Sequence, residues 1–250
     1  NIAMTAGSVY TVNGSGTNGA ATDGAARFTV NMASPEGVAD QGNGTLIADT
    51  GNNVAYFSNL LTGPATRFGR TVAGSNIYFV AGGGFGGSAL NSPSGIHRVA
   101  NATNGGHVYI ADAGSHRIFF RPDTAGNYFG QAMAADTLYV IAGDGNTGAT
   151  GDGGSATSAR LSSPRGVFAN ATGVFIADTG NHKIRFIPIT SGNYYGQAMT
   201  ANFIYTLAGT GAAALAGDNS IAGLAQLNNP TGVSVDSTGQ VYVADRLNHR

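Results

Sequence analysis

The stretch FIADTGNHKIRF, residues 175–186, sets Asp178, Asn181, His182, Lys183 and Arg185 within twelve positions. Taken alone it offers a carboxylate, an imidazole and cations, the materials of acid–base chemistry. Its sisters argue against that. LIADTGNNVAYF (46–57), YIADAGSHRIFF (109–120) and YVADRLNHR (242–250) repeat the phrase. A catalytic constellation occurs once, where different groups converge. Here Asp49, Asp112, Asp178 and Asp245 recur in every unit, and His116, His182 and His249 in three of them. We read them as structural turn residues. The Asp at a strand end is expected to accept hydrogen bonds from turn N–H groups, with Gly and Asn tolerating positive φ. The basic residue that follows (Arg117, Lys183, Arg250) is expected to pair with a carboxylate of its own or an adjacent unit.

Working outward, the spacings between the four aspartates are 63, 66 and 67 residues. Two further phrases keep the period. SVYTVNG (8–14), NIYFVAG (76–82), TLYVIAG (137–143) and FIYTLAG (203–209) form one set; SPEGVAD (34–40), SPSGIHR (92–98), SPRGVFA (163–169) and NPTGVSV (229–235) form the other. Each unit holds four short β-prone runs bounded by Gly, Pro, Asn or Ser, in the third unit near 166–169, 173–177, 183–187 and 203–208. No segment sustains a helical period. Four strands per repeat is the mark of a β-propeller blade.

The pattern P-x-G-V followed by V-Y-I-A-D-T-G-N-H-R-I resembles NHL repeats of the bacterial type. It stands here as Pro164–Val167 with GVFIADTGNHKIRF, and as Pro230–Val233 with QVYVADRLNHR. The loop GDGGSATSARLSSP (151–164) resembles the segment leading into an NHL strand. The resemblance covers nearly the whole chain. Unit one departs most, since GNNVAYF lacks the His and the basic residue. The resemblance implies a propeller whose PxGV strand is innermost, beside a central channel.

The expectation is therefore an all-β fold, a single β-propeller domain over residues 1–250. Its four-stranded repeats run approximately 8–75, 76–136, 137–202 and 203–250, with both ends inside a repeat. About four blades fall in this chain, either a four-blade ring or part of a larger, six-bladed one. An insertion recurs between third and fourth strands, as AGNYFGQAMAAD (125–136) and SGNYYGQAMTAN (191–202). Its aromatics Tyr128, Phe129, Tyr194 and Tyr195 are candidates either for a packed skirt or for an interaction surface, on the face opposite the Asp turns.

Composition narrows the function classes. Charged residues are 10% of 250 and the net charge is −1. Nucleic acid, whose phosphates call for clustered Lys and Arg, is not an expected partner. Glycines number 40, which fits many tight turns. Cysteine is absent, which excludes disulfides, thiolate metal sites and a Cys nucleophile. No apolar run reaches the roughly 18 residues of a membrane span.

Non-repeating positions are where specific function is sought. Glu36, Ser94, Arg165 and Thr231 follow the Pro of each PxG phrase, and GIHRV puts His97 and Arg98 where other units have Ala, Phe or Ser. Glu36, His97, Arg98 and Arg165 are the candidate ligand-binding set, a polar funnel at the channel mouth. His107 is explained by exposure at a turn. GDGNTGATGDGG (143–154) lacks the GK[ST] of a phosphate loop and the bidentate Glu of a calcium loop. Asp144, Asn146 and Asp152 leave weak Ca2+ binding as the one cofactor reading, with no metal site otherwise. Sequons at Asn13, Asn43, Asn101 and Asn170 are candidate glycosylation sites, against the plainer reading that turns favour Asn, Gly and Thr.

The functional expectation is a non-catalytic binding or structural scaffold, extracellular or at the cell surface, contacting protein or glycan, with self-association into a repetitive assembly as a further option. The alternative is a propeller enzyme resembling the NHL-like lyases, with channel-mouth polar residues and a divalent metal.

Overall fold

The computed structural model describes residues 13–20, 22–40, 44–68, 70–83, 89–100, 106–217 and 221–250. Residues 8–12 of the SVYTVNG phrase, read as an outer strand, and the sequons' Asn43 and Asn101 lie outside them.

Four antiparallel sheets follow one another along the chain. The first is Pro35–Asp40, Gly44–Asp49, Val54–Asn59 and Ile77–Gly82, hydrogen-bonded in that order. The second is Pro93–Val99, His107–Asp112, Arg117–Arg121 and Tyr139–Ala142. The third is Gly166–Ala169, Gly173–Asp178, Lys183–Pro188 and Phe203–Ala208, with Gly154–Ser155 added on its outer edge. The fourth shows two strands, Pro230–Val235 and Val241–Asp245. All helices among the described residues are single 3-10 turns. The four runs expected in unit three are the four strands observed, within one residue at either end. Unit one builds the same sheet as its neighbours despite lacking the His.

Strand alternation sends every second side chain to the sheet in front and the others to the sheet behind. Leu46 and Ala48 of the first sheet pack with Ile96, Val108 and Ile110 of the second. Tyr109 and Ala111 of the second pack with Val167, Val174 and Ile176 of the third. Phe175 and Ala177 of the third pack with Val233, Val241 and Val243 of the fourth. The second and third sheets are thus slices between two apolar layers. Burying a Leu, Ile or Phe there contributes about 1.5–3 kcal/mol each.

The first strands of successive sheets lie side by side. The glycine of the PxG phrase makes this approach feasible. A Cβ at Gly37 would sit 2.4 Å from the Ser94 carbonyl oxygen, at Gly95 2.3 Å from that of Arg165, and at Gly166 2.7 Å from that of Thr231. Each glycine therefore meets the backbone of the residue after Pro in the next sheet.

The insertion between third and fourth strands is a hairpin of its own. Ala65–Arg67 pairs with Arg70–Val72, Gly126–Tyr128 with Gln131–Met133, and Gly192–Tyr194 with Gln197–Met199. In the last two, Phe129–Gly130 and Tyr195–Gly196 all have positive φ, near 51° and 75–78°. That is the type I′ turn, whose twist matches a two-residue hairpin. An aromatic at a left-handed position is costly. It is held because its ring packs on the sheet.

Candidate functional site

The repeated turn is a set of bonds. Asp49, Asp112, Asp178 and Asp245 are all buried, at 0–2% exposure. Each carboxylate accepts a backbone N–H from the connector that precedes its sheet: Ala33 at 2.8 Å, Asn91 at 2.8 Å, Ser162 at 2.7 Å and Asn228 at 2.7 Å. It also accepts from the side chain three residues on, Asn52, Ser115, Asn181 or Asn248. The same asparagines donate a second time, to the carbonyls of Gly19, Gly148 and Ala214. The aspartates thus pin the incoming connector, where the sequence suggested bonding within the turn. The basic residues vary: Arg250 reaches Asp245 at 3.3 Å, whereas Arg117 donates to the carbonyl oxygen of Asp144 at 2.9 Å.

Burial pushes the carboxyls of Asp49, Asp112 and Asp178 up. Asp112 is raised to about 6, against the hydrogen bonds from Ser115 and Asn91. Asp49 and Asp178 move in the same direction for the same reason. A folded-state value above the unfolded one means that the folded state holds a proton longer as pH rises. Stability contributed by the protonated group is full below about pH 4 and falls through the window up to about pH 6. Asp112→Asn is expected to flatten that part of the fall, measured as urea midpoints between pH 4 and pH 6.

The imidazole is a latch between sheets. His116 and His182 adopt left-handed φ of 57° and 55°. Their Nδ1 atoms accept the N–H of Ser163 and Asn229, each at 3.0 Å, at the start of the next sheet. In unit one Asn53, at φ 56°, accepts the N–H of Ser92 through Oδ1 at 2.7 Å. The amide stands in for the imidazole, which is why that unit folds without its His. Thr50 and Thr179 add a hydroxyl bond to the carbonyls of Pro93 and Pro230, both at 2.7 Å. His182→Asn is accordingly expected to stay near wild-type stability. His182→Ala, which strands the Asn229 N–H, is expected to lose about 1–3 kcal/mol, read from chemical denaturation of both variants.

The non-repeating residues divide into two groups. Arg165 Nη1 reaches Glu36 Oε2 at 2.8 Å, with side chains 38% and 35% exposed. The pair joins the first sheet to the third, above the second sheet's Ser94, whose hydroxyl lies 3.5 Å from the Pro164 carbonyl. His97 and Arg98 do not join them. His97 lies in the second half of the strand Pro93–Val99, donates from Nε2 to the Ala169 carbonyl at 2.9 Å and packs at a tilt on Phe168, ring centroids 4.4 Å apart. Burial lowers its pKa. Arg98 is the next residue, so the pleat turns it the other way, into the field of Asp40. The four residues expected as a funnel are thus an exposed Glu36–Arg165 ion pair, a half-buried His97 and an Arg98 turned away from it.

The aromatic ribbons fold onto their own sheets. Tyr128 and Phe129 stand 5.3 and 5.2 Å from Phe120, and Tyr194 stands 5.5 Å from Phe186. Tyr195 packs edge-on against Phe186 at 5.9 Å, stays 50% exposed and donates to the Gly239 carbonyl of the fourth sheet. The third strand begins at the Asp turn and ends at the ribbon, which puts the two at opposite ends of each of the first three sheets.

Three other readings meet the structure. Asp144 faces Arg160 at 3.5 Å and Asp152 faces Arg185 at 2.6 Å, so the two loop carboxylates serve different guanidinium groups. No cluster of three His, Asp or Glu suited to a metal occurs among the described residues. Asn13 bonds Ser58 through Oδ1. Asn170 accepts the Thr172 hydroxyl and N–H, and Asp236, which has no amide to modify, makes the same turn with Thr238. The turn alone therefore accounts for that sequon.

His107 is a correction. It is half-buried, with Nδ1 3.0 Å from Asp123 Oδ1 and its ring against Phe120 and Tyr128. Asp123 is itself buried and lies beside Arg121, fully buried and paired with Asp136 at 2.8 Å. Burial draws the Arg121 guanidinium down to about 10, opposed by Asp136. Nothing in the sequence joined these four residues, because their positions do not repeat.

Comparison with known proteins places these features. Residues 227–250 match the family model for the NHL repeat. No curated protein matches the chain. Among solved structures, an auxiliary nutrient binding protein from Bacteroides ovatus ATCC 8483 is similar with a TM-score of 0.52 and 18% identity, over 88% of this chain and 48% of that one. A structural genomics protein of unknown function from Bacteroides thetaiotaomicron VPI-5482 is similar with a TM-score of 0.57 and 15% identity, over 84% of this chain and 44% of that one. At such identities the likeness is one of fold. The chain spans about half the length of these structures. No helix among the described residues is long and apolar enough to cross a membrane.

Proposed function

We propose, for a chain that carries the NHL repeat, a non-catalytic binding scaffold. Its sheets are the blades of a single propeller domain, and it works at the cell surface or outside the cell on protein or glycan partners. One observation carries the reading. The carboxylates and imidazoles that look catalytic in the sequence are engaged in bonds that recur sheet after sheet. A group that is buried and hydrogen-bonded in each unit holds the fold and has no free position from which to attack a substrate.

What remains for recognition is what the repeats do not share. At the mouth, Glu36 and Arg165 present one anion and one cation, exposed and paired. Such a pair contributes little to stability, about 0–1 kcal/mol. It is therefore free to exchange partners with a polar ligand. Tyr195, half-exposed at the other end, offers the aromatic contact.

The experiment is a thermal-shift screen of oligosaccharides and short peptides on the wild type and on Glu36→Gln and Arg165→Gln. The reading expects both variants to melt within about 2 °C of wild type and to lose a ligand-induced rise in Tm. Turnover of any compound, abolished in His97→Ala, would move the protein to the lyase-like alternative.

A further inference from the structure

The ribbons of the second and third sheets have nearly one sequence, GNYFGQAM (126–133) and GNYYGQAM (192–199). They share the I′ turn, and the hydroxyls of Tyr128 and Tyr194 bond Thr124 and Thr190 in the same way. What lies beneath them differs. The second strand begins with Gly44 in the first sheet and Gly173 in the third, where a Cβ would run into the ring of Phe57 or Phe186. In the second sheet it begins with His107, whose ring stands 5.4 Å from Phe120 and edge-on to Tyr128 at 5.0 Å. Beside it are Arg121, Asp123 and Asp136, at positions held by Ile187, Ile189 and Asn202 in the third sheet. Nδ1 of His107 lies 3.0 Å from Oδ1 of Asp123, whose side chain is fully buried. Nε and Nη1 of Arg121 are buried without a hydrogen bond. The seat of this ribbon is thus charged and incompletely bonded, while that of its twin is uncharged.

We propose that the second ribbon is an acid-released element: Gly126–Met133 stays seated on Phe120 while His107 is neutral and lifts when His107 takes up a proton, whereas the third ribbon does not respond. The groups around the imidazole and Asp123 give the direction. They are Tyr128 on the ribbon, Arg121 and Asp123 at the end of the third strand, Asp136 before the fourth, and Arg98 on the first. Arg67, Arg98 and Arg121 are answered by Asp40, Asp123 and Asp136. The cluster is balanced while the imidazole is neutral, and a charged imidazole is a surplus cation. Asp123 pulls the other way, but Arg98 and Arg121 already draw on it. Burial accordingly lowers the His107 pKa from 6.5, against Asp123. A folded-state value below the unfolded one means that the contribution of the neutral ring is full above about pH 6.5 and is lost as pH falls through the folded value. Asp136, raised by burial against Arg121, has the opposite sign, its contribution full below about pH 3.8 and fading above it. Release carries Tyr128 and Phe129 off Phe120, so any contact made by that aromatic pair becomes pH-dependent. None of this depends on a ligand at the mouth.

The test is amide hydrogen exchange of the protein between about pH 7.5 and about pH 5, expressed as protection factors so that intrinsic pH dependence cancels. Protection over 126–133 is expected to fall at least about threefold on acidification, within the roughly tenfold that one pKa unit supplies, while that over 192–199 stays within about twofold. His107→Gln, which keeps a polar side chain and cannot charge, is expected to remove the fall. Titration of the His107 ring by NMR is the second readout, expected below 6.5. Protection over 126–133 that is flat or rises on acidification, a fall shared equally by both ribbons, a fall unchanged in His107→Gln, or a ring titrating above 6.5 would each overturn the inference. If His107→Gln fails to fold, the comparison of the two ribbons in the wild type still decides it.

Discussion

Gly95→Ala is expected to cost at least about 3 kcal/mol or to abolish folding, the upper end of what overpacking does in a rigid interior. The Cβ would lie 2.3 Å from the Arg165 carbonyl oxygen and 3.1 Å from the Gly166 Cα, both backbone atoms of the neighbouring sheet. No rotamer relieves such a contact; the sheets must separate, and the apolar layer between them opens with the separation. Gly166→Ala should follow in rank, because its nearest backbone oxygen is 2.7 Å away. Gly232→Ala is the control. Its Cβ would meet the Ala244 Cβ at 3.3 Å and no backbone atom of a neighbouring sheet, so it should stay within about 1 kcal/mol of wild type. None of these glycines has positive φ, so conformational freedom does not explain them. Urea denaturation of the three variants checks the order. Equal losses at Gly95 and Gly232 would mean that the close approach of first strands is not what the glycine serves.

Asp178→Ala is expected to be nearly as severe, at about 3–5 kcal/mol. The carboxylate is fully buried and accepts from the Ser162 N–H, the Asn181 amide and Arg185 at 3.2 Å. Arg185 is buried too and already has one guanidinium atom, Nε, without a partner. Removing Asp178 leaves a buried cation leaning on the partly exposed Asp152 alone. The same logic predicts coupling. Once Arg185→Leu has removed the cation, Asp178→Ala should cost clearly less than it does alone. A double-mutant cycle by denaturation measures this. Strict additivity would show that the pair is not what the turn protects.

The architecture was legible in the sequence because it repeats. Once FIADTGNHKIRF was set beside its sisters, strand positions in unit three followed nearly to the residue. The structural reading of Asp178 and His182 followed from their recurrence. What recurrence could not give was the partner at the other end of each bond. The connector N–H groups that Asp178 and Asp245 accept come from 16 and 17 residues upstream, and the His182 partner from 47 residues downstream. The ribbon turn was hidden for a different reason. Phe129 and Tyr195 sit where Asn or Asp usually stands in a type I′ turn, and packing on Phe120 and Phe186 outweighs local preference.

The candidate site was less legible. Glu36 and Arg165 meet across 129 residues; the shared position after Pro suggested a common location for them and not the ion pair. His97 and Arg98 were grouped with them by novelty alone, and strand length and pleat keep them apart. The His107–Asp123 contact left no signal, since a lone histidine at a strand start looks like any exposed turn residue.

The central claim is that the repeated histidine is a latch between sheets, and the tautomer of His116 and His182 tests it most directly. Two-bond 1H–15N correlation of the imidazoles should show both rings protonated on Nε2, with Nδ1 accepting. The backbone amides of Ser163 and Asn229 should be protected from exchange. Rings protonated on Nδ1, with those amides exchanging as fast as free turn residues, would contradict it.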